Sequence, residues 1–81
     1  MSAAAVIEFA LEGDFVELHQ LLKLCGVVGS GGAGKALVSS GAARVDGVVE
    51  LRRTCKIRAG QTVEAGGVRI AVIAEPSAAQ P

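Results

Sequence analysis

The chain has 81 residues, with no Trp, no Tyr, two Phe, one His, two Cys and two Pro. Each scarcity removes a class of function. Surfaces that hold single strands stack the bases on aromatic faces. Phe9 and Phe15 are the only aromatics here, and both lie in an acidic N-terminal part away from the cations in sequence. The sequence therefore offers no stacking platform. A zinc site usually needs four ligands, and His19, Cys25 and Cys55 cannot complete one. Two cysteines make no disulfide framework either, and they read as small buried hydrophobes in a reducing cytoplasm. His19 lies beside Leu18 with no Ser-His-Asp pattern around it, so catalysis is not expected. The first residues, MSAAAVIEFALEG, lack a positive n-region and carry Glu8 and Glu12, which argues against a secretory signal. No apolar run approaches the ~20 residues of a membrane span. The expectation is a cytoplasmic monomer without metal, cofactor or small-molecule substrate.

A net charge of zero hides a strong division. Residues 1–22 hold Glu8, Glu12, Asp14 and Glu17 and no Lys or Arg, a net −4. Residues 23–58 hold Lys23, Lys35, Arg44, Arg52, Arg53, Lys56 and Arg58 against Asp46 and Glu50, a net +5. The rest holds Arg69 against Glu64 and Glu75, a net −1. A neutral chain with a cationic middle can still present a basic face. Cations spaced over a small stiff sheet suit a polyanion, which points to a nucleic acid. The plainer alternative is a solvated surface.

The pattern along the chain gives the elements. Residues 6–11, VIEFAL, alternate roughly and read as a short N-terminal strand. Asp14 and Glu17 form a capping-box pattern, followed by Phe15, Leu18, Leu21, Leu22 and Cys25 at helical spacing. Gly26 stands where a helix C-terminal glycine belongs. Ser30 caps a second helix that runs to about Ser40, with Ala33, Ala36 and Leu37 as its packed face. Asp46-Gly47 between Arg44-Val45 and Val48-Val49 reads as a type I′ hairpin. Further turns at 59–61 and 66–67 frame strands at Thr62–Glu64 and Val68–Ile73. The fold class is α+β: two packed helices followed by a small antiparallel hairpin sheet. Residues 6–74 form the single domain, with flexible tails at 1–5 and 75–81.

Residues 29–35, GSGGAGK, satisfy GxGxxG and most of a P-loop. A P-loop cradles phosphates with backbone N–H groups and holds magnesium through a Ser or Thr hydroxyl. Ala36 occupies the hydroxyl position, and the preceding residues read as helix rather than as a buried strand. Nucleotide binding is the weaker reading of this loop.

Taken in order, several segments resemble a known family. They are the LLKL helix ending at Gly26, the short helix with Lys35, and G-x-x-x-V-D-G from Gly41 to Gly47. Arg53-x-Cys55-Lys56-Ile57 and the A-G-Q-T-V turn from Ala59 to Val63 complete the set. The run 16–63 resembles the RNA-binding domain named for small-subunit ribosomal protein S-four, and most of all its small stand-alone YbcJ-like bacterial members. The resemblance implies two packed helices and a β-hairpin, the αL motif, docking on structured RNA such as ribosomal or transfer RNA. Carried over by position, the RNA contacts would be Lys35, Arg44, Arg52, Arg53 and Lys56, with Lys23 at the end of the first helix. Arg58 lies outside the shared motif and rests on charge alone. The start of the second helix, Gly31-Gly32-Ala33-Gly34, departs from the polar or basic start common in the family. Each interior Gly costs a helix about 1 kcal/mol relative to Ala. The rival to RNA binding is a protein-interaction module that uses an exposed apolar sheet or the acidic first helix.

Overall fold

The computed structural model describes residues 5–75. The tails assigned to 1–5 and 75–81 lie outside these residues except for Ala5 and Glu75. Ala5 belongs to a strand, and the Glu75 amide donates to the Leu11 carbonyl at 3.0 Å.

Seven strands and two helices follow in the order β1 (Ala5–Leu11), β2 (Val16–Glu17), α1 (Leu18–Leu24), α2 (Gly31–Ser39), β3 (Arg44–Val45), β4 (Val48–Val49), β5 (Lys56–Ile57), β6 (Thr62–Ala65) and β7 (Val68–Ala74). Five of the strands make one sheet in the order β1-β7-β6-β3-β4, and β2 pairs with β5 in a second. The main sheet is mixed rather than antiparallel throughout. β1 runs parallel to β7 along its whole length, from Ala5 opposite Val68 to Leu11 opposite Ala74. The two strands stand at opposite ends of the described chain, so local pattern could not reveal their pairing.

Strand alternation separates the two faces of this sheet. One row runs Val45, Val63, Ile70, Ile7 by register, with Val63 and Ile70 fully buried. Leu18, Leu21 and Leu22 of α1 and Val38 of α2 close over this side and complete the core. The neighbouring row runs Arg44, Glu64, Arg69, Val6 on the opposite face, where Arg69 Nη2 meets Glu64 Oε2 at 2.9 Å.

Helix α1 begins three residues later than the capping box suggests, with Glu17 at the cap position instead of Asp14. Asp14 is not its cap, and Phe15 is off the helix. Val16 and Glu17 are extended instead and pair with Ile57 and Lys56. The Leu18 amide donates to the Cys55 carbonyl at 2.9 Å, and the His19 amide donates to the Arg53 carbonyl at 3.0 Å. The first amides of a helix lack partners within it. Here backbone from residues 53–55 supplies them, so no side-chain cap is needed at Glu17. The Glu17 carboxylate lies 2.9 Å from His19 Nε2 instead. At the other end Gly26 takes φ +75° and its amide donates to the Lys23 carbonyl, as expected of a helix-closing glycine.

The Ser30 hydroxyl accepts from the Ala33 amide at 3.1 Å and caps α2. The packed face of α2 differs from the expectation. Ala33 and Ala36 are exposed, while Gly34 and Val38 are buried and Leu37 is half-buried. A Cβ on Gly34 would stand 3.1 Å from the His19 carbonyl oxygen. The two helices meet where one of them has no side chain. The third glycine of the GxGxxG pattern thus has a packing role, and the element that precedes the loop is helix α1, ending at Leu24, rather than a strand.

Candidate nucleic-acid interface

The cations occupy several elements. The hairpin forms as expected: Asp46 at φ 52° and Gly47 at φ 83° make the turn between β3 and β4. Only Arg44 belongs to it. Residues 52–58 follow the hairpin and run to β2, so the five cations of 44–58 do not share one hairpin. The reason is the pairing of β5 with β2, which joins Val16 to Ile57 and Glu17 to Lys56 across the intervening helices and hairpin.

The structure draws Arg52, Arg53, Lys56 and Arg58 onto this one segment beside the start of α1. All four are exposed. Their arrangement has local causes. The Arg52 amide donates to Glu50 Oε2 at 3.0 Å, which closes a turn at the head of the segment. Arg52 Nε also reaches Glu50 Oε2 at 3.3 Å, while its side chain remains 81% exposed. The donated Arg52 amide holds the Glu50 carboxyl below its ordinary range, and the guanidinium adds to this against some desolvation. The Cys55 thiol is pushed up by burial and then by the Glu50 carboxylate. Neither cysteine environment favours a reactive thiolate, since burial also raises Cys25.

Beyond Cys55 the chain is extended and its side chains alternate. Ile57 is fully buried, so Lys56 and Arg58 point outward together. They point toward Phe15. Lys56 Nζ lies 4.9 Å from the centroid of the Phe15 ring, and Arg58 Cζ lies 5.9 Å from it. Such contacts are worth about 0.5–1 kcal/mol at exposed sites. The sequence reading kept both phenylalanines away from the cations, and for Phe15 the fold corrects this. The signal was long-range: Val16 opposite Ile57 sets Phe15 opposite Arg58.

The other expected contacts lie elsewhere. Lys23 is exposed in the last turn of α1, and Lys35 is exposed on α2. Arg44 stands on the outer row of the sheet, across from Glu64. Among the described residues, Lys23, Lys35, Arg44, Arg53, Lys56 and Arg58 have no acid within 4.0 Å. Six of the seven candidate cations are thus free to meet an external anion. Also among these residues, no helix is long and apolar enough to cross a membrane.

Comparison with known proteins agrees with this architecture. The model of the S4 domain matches residues 9–73. A protein of Escherichia coli (strain K12) named "Putative RNA-binding protein YbcJ" is 49% identical over 59 residues, covering 73% of this chain and 84% of the relative. A protein of Shigella flexneri named "Uncharacterized protein YbcJ" matches to the same extent. The solution structure of YbcJ from E. coli, described as revealing an αL motif involved in RNA binding, superposes with a TM-score of 0.61 at 42% identity. That match covers 91% of this chain and 92% of the other. With the family match spanning most of the chain and a relative this similar, the protein belongs to the S4 domain family.

Proposed function

We infer that this protein is a non-catalytic module that binds structured RNA through phosphate contacts. The observation that carries this reading is the segment 52–58. It presents Arg52, Arg53, Lys56 and Arg58 outward from a frame fixed by α1 amides and by β2. Among the described residues, Arg53, Lys56 and Arg58 have no acidic partner within 4.0 Å, and Arg52, which pairs with Glu50, keeps its side chain largely exposed. A guanidinium matches phosphate with two parallel hydrogen bonds. Lys35 on α2, Arg44 on the outer row of the sheet and Lys23 in the last turn of α1 offer the same chemistry from other elements. In double-stranded RNA the phosphates and 2′-hydroxyls are read by shape, which suits rigidly held cations better than a sequence code. The RNA-binding description of the E. coli relative supports the same reading.

Salt dependence tests it. Binding of a structured hairpin RNA releases condensed counterions in proportion to the phosphates neutralised. With about four phosphate contacts, affinity falls roughly 10²-fold between 50 and 200 mM salt. A filter-binding series at several salt concentrations reads the slope. A flat response, or no binding at low salt, would sink the proposal.

A further inference from the structure

Phe15 also lines a cleft to which Lys56 and Arg58 do not contribute. The cleft encloses about 380 Å³ and is lined by Phe9, Phe15, Leu24, Glu12 and Glu75, among others. Phe15 is 40% exposed and Leu24 is 64% exposed, although both are large and apolar. Cations stand beside the Phe15 ring, and carboxylates stand at the cleft. A nucleotide has matching parts. Its phosphate is an anion, its base has two apolar faces, and the edges of adenine, cytosine and guanine carry amino donors.

The geometry points to Phe15 as a stacking platform for one unpaired base of the bound RNA. The phosphate of that nucleotide rests on Lys56 and Arg58. The base lies in the cleft against Phe15 and Leu24, with its amino edge toward Glu12 or Glu75. An ionised carboxylate only accepts hydrogen bonds. The cleft therefore favours amino-bearing bases over uracil, whose single ring N–H lies between two carbonyl oxygens. A docked phosphate alone would not need the cleft, and a peptide occupant would leave the cations without a role. This inference rests on the RNA-binding reading above. It adds that the preferred RNA carries a bulged or loop nucleotide.

The test uses an RNA hairpin with one bulged 2-aminopurine and a second hairpin without the bulge. The chain has no Trp and no Tyr, so the probe emits against a silent protein. The wild type should quench the probe and bind the bulged hairpin more tightly than the plain one. Phe15→Leu keeps apolar bulk and loses the ring. It should bind the bulged hairpin about tenfold more weakly, in line with the worth of one base–aromatic stack, without quenching. Phe15→Tyr should restore both signals. Binding of the plain hairpin should be equal for all three proteins. Replacing the bulged base by uracil should weaken binding, and replacing it by adenine should not. Equal binding and quenching by Phe15→Leu would overturn the platform but leave the phosphate surface standing. Absence of binding to either hairpin by the wild type would instead remove the RNA reading itself. Concentration-dependent self-association lost in Phe15→Leu, with no quenching in the wild type, would assign the cleft to a second copy of the chain.

Discussion

Replacing Arg52 and Arg53 together by Glu abolishes most binding of a structured RNA and leaves the fold intact. A hydrogen bond to a charged group contributes roughly 1.5–3 kcal/mol, so losing two such contacts costs on the order of 10²-fold or more in affinity. Reversal adds repulsion from the phosphates to that loss. The fold should tolerate the change because the structural work of this loop is done by backbone. The Arg53 carbonyl, not its guanidinium, accepts from the His19 amide. The Arg52 amide, which every residue but proline retains, closes the turn with Glu50. The exposed ion pair of Arg52 with Glu50 contributes at most about 1 kcal/mol. Exposed substitutions of this kind usually change stability within about 0.5 kcal/mol each. A gel-shift series with wild type and double variant, together with thermal melts of both, measures the outcome. Equal binding with unchanged melting would favour the protein-interaction reading.

Gly34→Val should destabilise the domain by about 1–3 kcal/mol, the usual cost of overpacking a tight contact. In a domain of this size that lowers the melting temperature by roughly 5–20 °C. A new Cβ would lie 3.1 Å from the His19 carbonyl oxygen and 3.5 Å from both the His19 Cβ and a Val28 methyl. The closest of these is backbone, held by its place in α1, so the two helices must separate. Gly32→Ala is the control. Its Cβ meets only the Ser30 hydroxyl at 4.0 Å, so the helix-propensity gain of up to about 1 kcal/mol is realised. Urea denaturation of both variants separates the two effects. Wild-type stability in Gly34→Val would refute the close approach of α1 and α2.

These two sites show what the sequence could and could not reveal. Features closed within a few residues were legible. They include the Asp46-Gly47 turn, the Ser30 cap and Gly26 at the end of α1, because each depends on local dihedral preference or a nearby donor. Gly34 was visible as a glycine but pointed to the wrong use. Its reason is a neighbour on another helix. The start of α1 was misplaced for the same kind of reason, since its first amides bond to carbonyls of residues 53 and 55 rather than to Asp14. The parallel pairing of β1 with β7 was invisible because strand alternation carries no information about which strand lies alongside. The cations were legible as candidates from charge alone, and the family resemblance placed all but Arg58 within its motifs. Phe15 was missed because it stands in an acidic stretch, and only the short β2–β5 ladder brings it to Lys56 and Arg58.

The most direct measurement of the central claim is amide chemical-shift mapping of the isotope-labelled protein during titration with a structured RNA hairpin. The account predicts the largest shifts over residues 52–58, at the first amides of α1 and around Phe15. Weaker shifts are expected near Lys35 and Arg44, and all should collapse as salt is raised. Shifts confined to the outer row of the sheet around Glu64 and Arg69, or to the glycine loop at 29–34, would contradict it.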